Sequence, residues 1–490
     1  MRTTYLIVVL VFMALLLVLG FWVARRVRSG EDFLMAGRSL GPVLLLATTL
    51  ATLVGTGSSL GAVGYAYENG WAGALYGIGA TIGVVLLLLI FADARRHRFM
   101  TLPEEMSSYY GASPVMKGVV AVMLLIAEMG WLGAHVLGGS IYLVHLTDLS
   151  PAAAKILLAL GFGVYTIVGG YLAVVLTDAV QALILFVGFA VLAVVALVSV
   201  GGLAGISREV PAELDSFLGL EAVGVLPAVS FALVIAVGVL TTPSYRQRVY
   251  SARSVSTVRR SFALVAVLTA IFAIFPAIAG ISARAMAPGL EHTDTAFPYL
   301  ATELFPMMLG ALILVAGLSA TMSSGDSDAM TAVTMLLRDG VQLVTGRQPR
   351  RERMVANSRI SLAVVLLIAL IFALLADTII EYITMMISTI LTGFLVASLL
   401  GKYWKRATVP GGFAAMIGGS GTALIVNNHA GMTEFWGNAV IPSLLVATVA
   451  GVLVSLVTRP PTVSREEAVA RLEKEREVFD VDLHGAGGTE

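Results

Sequence analysis

The sequence has no cysteine among its 490 residues, and only 13% of them are charged. The absence of cysteine excludes disulfides, thiolate nucleophiles and cysteine metal sites. Basic and acidic residues balance, so the net charge by itself does not bear on nucleic-acid binding. We expect no nucleic-acid partner. What the chain has in abundance is apolar side chains, which make up 58% of it. This composition excludes a soluble globular protein and indicates an integral membrane protein.

Apolar runs of roughly 20 residues, the length that one helix needs to cross a bilayer, recur along the chain. About thirteen of them are bounded by charged or turn residues, and they predict an all-α membrane protein. Their approximate bounds are 5–23, 43–65, 73–91, 118–142, 156–176, 179–198, 228–240, 262–285, 307–337, 360–376, 379–400, 411–426 and 439–457. Arginines rather than a small-residue cleavage site follow the first run, so we interpret it as a membrane helix and not as a secretory signal.

Positive charges fall mainly on one side of the membrane when these runs are threaded with the N-terminus outside. That side receives the clusters within 25–38, 95–98, 246–260, 338–353 and 402–406, whereas the other side receives little beyond Arg2, Lys155, Arg208 and Arg284. The positive-inside rule assigns the richer side to the cytoplasm. We therefore predict a multi-pass protein of the cytoplasmic membrane. Its membrane domain covers residues 1–460, and a cytoplasmic tail at 461–490 contains a charged helix, interpreted as solvated rather than as a regulatory docking element.

Two predicted segments contain helix-breaking residues. The second has Gly55 and Gly57 among threonines and serines, and the seventh has Gly238, Thr242 and Pro243 in a short apolar stretch. Glycines also allow close packing of membrane helices, so the second segment alone leaves both readings open. Paired interrupted helices five segments apart predict an inverted repeat of segments 2–6 and 7–11, covering about 40–205 and 222–402, as in carriers that bind their ligands near the bilayer midplane.

The ninth segment places hydroxyl and carboxylate oxygens where hydrocarbon is expected. At about 100° per residue, Ala320, Ser323, Ser324 and Ser327 share one helix face. Oxygen ligands suit a hard cation, so this face predicts an ion site. Serines that bond the carbonyl one turn back are the structural alternative, but Asp326 and Asp328 in the same segment make that alternative costly.

Four ordered motifs resemble those of the sodium:solute symporter family: "DFLMAGRSLGP", "YTIVGGYLAVVLTDAVQ", "YRQRVYSA" and "LSATMSSGDS". The resemblance implies a leucine-transporter-type fold with flanking helices. By position in the motifs, it implies a main sodium site at the carbonyls of Ala51, Val54 and Ala320 and the hydroxyls of Ser323 and Ser324. It also implies a second sodium or proton site at Asp178, Asp326 and Ser327, together with Ser323.

The motifs around "MSSGDS" and "AEMGW" look most like the choline-transporter branch of this family. Two positions where that branch has tryptophan are here Leu53 and Thr242, which leaves only Trp131 of its aromatic box and makes choline itself doubtful. The solute pocket is expected between segments two, four and seven, at Leu53, Gly55, Thr56, Glu128, Trp131, Thr241 and Thr242. We interpret His135 as a hydrogen-bonded packing residue.

These observations predict a sodium-coupled symporter that imports a small polar organic solute by alternating access, with Na⁺ as the coupling ion and no cofactor. A proton-coupled carrier using Glu128, Asp178 or Asp326 is the first alternative, and a channel and a transporter-like sensor are others. The cytoplasmic segments contain no metal-ligand spacing, nucleophile elbow or phosphate-binding glycine loop, so we do not predict an enzyme.

Overall fold

The computed structural model describes residues 2–27, 29–147, 149–345, 353–375 and 379–481, and this part of the chain is helical without a single strand. One isolated bridge joins Leu40 to Ala252. The predicted all-α class is therefore confirmed. The α-helices are α1 (Arg2–Ala24), α2 (Gly30–Met35), α3 (Pro42–Leu53), α4 (Ala62–Asn69), α5 (Ala74–Phe91), α6 (Leu102–Tyr109), α7 (Pro114–Leu146), α8 (Pro151–Ser199), α9 (Leu203–Glu209), α10 (Leu220–Val223), α11 (Val225–Thr241), α12 (Pro243–Ser251), α13 (Val255–Phe272), α14 (Ile274–Met286), α15 (Ala296–Glu303), α16 (Met307–Met335), α17 (Val341–Thr345), α18 (Met354–Leu375), α19 (Ile379–Met386), α20 (Thr392–Tyr403), α21 (Val409–Asn427), α22 (Ala430–Trp436), α23 (Val440–Val457) and α24 (Arg465–Val481).

Ten helical stretches in the described residues are long and apolar enough to cross a membrane. The number is eleven when Phe217–Val223 and Val225–Thr241, which meet at a bend of 117°, are counted as one span. Two of the ten, Gly57–His97 and Pro151–Ser199, have 41 and 49 residues, which is about twice the length of one crossing. Each contains a glycine with positive φ, Gly70 and Gly170 respectively. The count of thirteen crossings and the inverted repeat stay predictions.

The break inside α8 lies at Gly170, whose φ and ψ are 62° and −161°. The sequence analysis instead placed the boundary between residues 176 and 179, and that position is wrong. Thr177 and Asp178 look like a polar interruption in the sequence, but both are fully buried, and the helix runs through them without a break. Thr177 Oγ1 donates to the carbonyl of Ala173, and Asp178 Oδ2 accepts from Thr48, so neither residue ends the helix.

Both predicted interruptions are present. The second predicted segment is helical to Leu53, leaves the helix at Val54 to Thr56, and resumes in a π-helical turn, Gly57–Gly61, that leads into α4. The seventh breaks at Thr242, which is extended (φ −69°, ψ 124°) because the following Pro243 disfavours the helical region for its neighbour. Each break frees backbone groups in the middle of an apolar chain.

Helix α16 is the centre of the packing. It contacts α7, α8, α3 and α18, and every residue from Ile313 to Met335 is buried. The ninth predicted segment, richest in hydroxyls and carboxylates, is thus the most enclosed helix of the described chain. Large apolar side chains are instead exposed along α1, α8, α18 and α23, among other helices.

The C-terminal helix α24 packs one of its faces on α6, so its interpretation as a solvated helix without docking is wrong. Glu475 forms an ion pair with Lys117 at 3.1 Å, and Arg476 forms one with Glu104 at 3.2 Å. Ala468 and Leu472 of α24 are buried. The charge pattern predicted the helix correctly but could not reveal partners on α6 and α7. Residues 482–490 of the predicted tail lie outside the described residues.

Replacing Gly170 with alanine should lower the midpoint of thermal unfolding of the purified protein. Alanine in this backbone conformation is strained by about 1–3 kcal/mol. Its Cβ would also lie 2.7 Å from the carbonyl oxygen of Phe33. Gly202 has nearly the same backbone conformation, φ 73° and ψ −164°, and no atom of the described residues lies within 4 Å of a Cβ added there. Gly202→Ala therefore measures the strain alone, and equal shifts in the two variants would contradict a packing role for Gly170.

Candidate cation and solute site

Two serine hydroxyls of α16 meet the broken end of α3. Ser323 Oγ donates to the carbonyl of Ala51 at 3.0 Å, and Ser324 Oγ donates to the carbonyl of Thr52 at 2.9 Å. Both hydroxyls also lie near the carbonyl of Ala320, at 3.4 and 3.2 Å. We call this group of carbonyl and hydroxyl oxygens the oxygen cage. It is buried in the protein interior.

The oxygen cage follows from local backbone structure. The last carbonyls of a helix have no partner within the helix, and the break after Leu53 leaves those of Ala51 and Thr52 free to accept from α16. Val54 lies in the break itself, 1% exposed. A Cβ at Gly55 would come within 2.5 Å of Ser324 Oγ, so only glycine allows this approach.

The donor atoms of the cage fit a sodium ion. All of them are neutral oxygens, the ligand type that a hard monovalent cation takes, and hydroxyl hydrogens can rotate away so that Oγ lone pairs face an ion. The described residues hold no cluster of three or more histidine, aspartate or glutamate side chains of the kind that binds a transition metal. Four of the five residues predicted for the main site are joined by hydrogen bonds, and Thr52 is a contributor that the sequence analysis missed.

The second predicted site is also assembled, but around an arginine. Asp178, Asp326 and Ser327 are fully buried, with Ser327 Oγ 3.3 Å from Asp326 Oδ1. Arg248 Nη2 lies 3.3 Å from Asp178 Oδ2 and donates to Ser327 Oγ. Asp326 accepts from the hydroxyl of Tyr165 at 2.6 Å. We call these five side chains the acid–arginine cluster.

Arg246 and Arg248 are fully buried, although the sequence analysis counted them among the cytoplasmic charges. Helix α12 directs Arg248 toward α3, where Thr52 Oγ1 accepts from it at 2.6 Å. Arg246 points instead toward Glu105 on α6, at 3.2 Å. Hydropathy and the positive-inside rule do not distinguish a loop arginine from one that enters the interior, so the sequence analysis did not predict this.

Glu105, on α6, is the centre of a buried group of hydrogen-bonded polar side chains. It accepts from Arg246 and from the hydroxyls of Tyr109 and Tyr250. Burial raises the pKa of the Glu105 carboxyl, but Arg246 and the two hydroxyls outweigh burial and hold that pKa below its usual value. A charged carboxylate is thus held by three partners, which fixes α6 against α12.

A cavity next to the oxygen cage is lined by four of the seven residues that the sequence analysis assigned to the solute pocket. They are Leu53, Gly55, Trp131 and Thr242. Thr56 instead bonds His135 Nδ1 at 2.8 Å, and Thr241 bonds back to Val237 within α11. Glu128 is fully buried, and neither of its oxygens has a hydrogen-bond partner among the side chains that the structure describes. The sequence analysis missed Tyr76, Tyr245 and Asp328, which complete the wall of the cavity.

His135 is hydrogen-bonded on both ring nitrogens, as its interpretation as a packing residue requires. Its Nε2 lies 3.1 Å from Asp328 Oδ2, opposite the bond to Thr56. Its ring also stacks on Trp131, with centroids 6.2 Å apart. The arrangement fixes one wall of the cavity and links it to the π-helical turn that follows the break.

A family model described as "Sodium:solute symporter family" matches residues 33–419. Among curated proteins, the chain is 25% identical over 441 residues to the sodium/pantothenate symporter of Haemophilus influenzae, covering 86% of this chain and 90% of the relative. It is 24% identical over 480 residues to the osmoregulated proline transporter OpuE of Bacillus subtilis, covering 94% and 96%. These relatives are transporters, in agreement with the prediction that the chain is not an enzyme.

Solved structures of transporters share the fold. A substrate-bound, outward-open Na⁺-coupled sialic acid symporter matches with a TM-score of 0.76 at 18% identity, covering 94% of this chain and 99% of that one. The nucleobase-cation-symport-1 family transporter Mhp1 matches with a TM-score of 0.60 at 13% identity, covering 90% and 95%. At these identities the likeness concerns the fold, and it confirms the predicted transporter architecture.

Proposed function

The chain belongs to the sodium:solute symporter family, and we propose that it imports a small polar organic solute together with Na⁺ by alternating access. Residues 33–419 match the family model, and relatives covering most of the chain are named as sodium symporters. The observation that carries the proposal for this chain is the oxygen cage, in which α16 hydroxyls meet carbonyls of the broken α3.

We assign the main sodium site to Ala51, Val54, Ala320, Ser323 and Ser324. The serine hydroxyls now donate across the interface between α3 and α16. A sodium ion at the same place would draw carbonyl and hydroxyl oxygens toward itself from both helices, and so hold α3 against α16. The ion would stabilise one arrangement of the two helices, which is the differential interaction that a conformational cycle requires.

Gly55 provides the coupling between ion and solute. It lines the cavity, and its Cα is packed so closely on Ser324 that no side chain fits between them. An ion that orders the α3 break therefore shapes the adjacent wall of the solute pocket. By linkage, the solute must in turn raise the affinity for the ion. Entry of each positive charge is driven by about 2.3 kcal/mol per 100 mV of membrane potential.

A proton-coupled carrier is the second candidate, and one observation favours it. Thr56, His135 and Asp328 form a hydrogen-bonded chain beside the cavity, and Glu128, about two turns before His135 on α7, has no hydrogen-bond partner among the described side chains. Ionisable groups at membrane depth form proton paths in many carriers. Uptake that follows pH and ignores sodium would identify this mechanism.

A thermal-shift screen of amines, amino acids, sugars and carboxylates, with and without Na⁺, should identify a solute that stabilises the purified protein only when sodium is present. Uptake of that solute into proteoliposomes should then require an inward sodium gradient. Equal rates with sodium and with choline chloride outside would reject sodium coupling.

Removing both hydroxyls of the oxygen cage should weaken sodium binding. Ser323→Ala with Ser324→Ala leaves the fold of α16 intact but deletes two ligands, so the half-saturating sodium concentration for uptake should rise about tenfold or more, equivalent to about 1.4 kcal/mol. Ser319→Ala, on the same helix and also buried but outside the cage, is the matched control. A sodium dependence that is unchanged in the double variant would refute the assigned site.

The proposed orientation places the N-terminus outside and the C-terminus in the cytoplasm. The chain has no native cysteine, so single introduced cysteines report accessibility without background. Glu209 at the end of α9 and Glu473 on α24 are both exposed. In right-side-out vesicles a membrane-impermeant maleimide should label Glu209→Cys and not Glu473→Cys until the vesicles are opened. Labelling in the reverse order would overturn the orientation.

A further inference from the structure

Within the acid–arginine cluster, Arg248 contacts oxygens that the sequence analysis assigned to a second sodium ion. Nη2 of Arg248 lies 3.3 Å from Asp178 Oδ2 and bonds Ser327 Oγ, two of the predicted ligands. The hydroxyl oxygens of Thr48 and Thr52 lie 3.1 and 2.6 Å from the same nitrogen. One nitrogen of the guanidinium thus lies among four oxygens.

The surrounding oxygens are oriented for a cation at this place. Thr48 Oγ1 donates to Asp178 Oδ2 at 2.6 Å and has its lone pairs toward Arg248. Ser327 Oγ donates to the carbonyl of Ser323 at 2.8 Å, which likewise leaves its lone pairs for the guanidinium. Arg248 and Asp178 are both fully buried, so no solvent screens their interaction.

Arg248 carries a permanent charge and is anchored on α12, so it has two advantages over a free ion. Its guanidinium keeps its proton under all physiological conditions. It also pays no translational entropy to reach the site, because the chain holds it there. A sodium ion entering among the same four oxygens would face a like charge at close range in a low-dielectric interior, and would have to displace it.

On the basis of the function proposed above, we propose that the Arg248 guanidinium is a resident cation that fills the second ion site. The chain then binds one sodium ion, at the oxygen cage, and the acid–arginine cluster takes none. Arg248 is a determinant of ion stoichiometry that acts by occupying Asp178 and Ser327. Its contacts also join α12 to α3, α8 and α16, so a side chain of the protein occupies the site in place of an ion.

Counting bound sodium tests this proposal without knowledge of the solute. Equilibrium binding of radiolabelled Na⁺ to the purified full-length protein should give one ion per chain. Arg248→Gln keeps hydrogen-bonding capacity but removes the charge, so it should give two ions per chain. Arg248→Lys keeps the charge and should give one. Arg246→Gln removes the other buried arginine of α12, which pairs with Glu105, and should also give one.

The outcomes separate this proposal from the proposed function. A wild-type count of two that falls to one in Asp178→Asn overturns the resident-cation proposal and leaves sodium coupling intact. A count that stays at one in folded Arg248→Gln also overturns it. A wild-type count of zero rejects sodium coupling itself. If Arg248→Gln does not fold because Asp178 is left unpaired, the wild-type and Asp178→Asn counts decide alone.

Discussion

The structure depends on the contact between the broken end of α3 and the serines of α16. A helix that opens within a bilayer exposes carbonyls that water cannot reach, and each of them must find a partner inside the protein. Ser323 and Ser324 supply those partners for Ala51 and Thr52. The same oxygens can coordinate an ion in place of hydrogen-bonding to each other. The break is therefore stable in this place because α16 carries hydroxyls on the face that meets it.

Charge inside the membrane domain is organised in two ways. The oxygen cage is built from neutral groups. Asp178 and Asp326 belong instead to the neighbouring acid–arginine cluster, in which Arg248 lies between α3, α8 and α16. Removing one member of a buried ion pair costs about 3–5 kcal/mol, because the other is left without compensation. The arginine thus allows carboxylates to lie next to the cage. Glu105 and Arg246 repeat the arrangement between α6 and α12.

Features set by local periodicity or backbone chemistry could be predicted from the sequence. The helical repeat alone places Ser323, Ser324 and Ser327 on one face, and the pairing of Gly55 with Pro243 five segments later indicates where two helices break. Features set by distant partners could not be. Burial of Arg248, the entry of Tyr76 and Tyr245 into the cavity, and the docking of α24 each depend on residues far apart in sequence. Thr177 and Asp178 were misread as a boundary for the same reason, since a polar pair ends a helix only where nothing in the interior receives it.

A carrier must release its ion as well as bind it, and the neutral cage suits that requirement. Conduction and transport need sites that are favourable enough to enter and weak enough to leave. Had Asp178 lain among the cage oxygens without Arg248, its full charge would hold sodium in a medium that screens poorly. With Asp178 engaged by a guanidinium, an ion at the proposed site would be held mainly by carbonyl and hydroxyl dipoles. The pairing of an acid with an anchored arginine beside a neutral cage would thus keep negative charge near the proposed sodium site without trapping the ion.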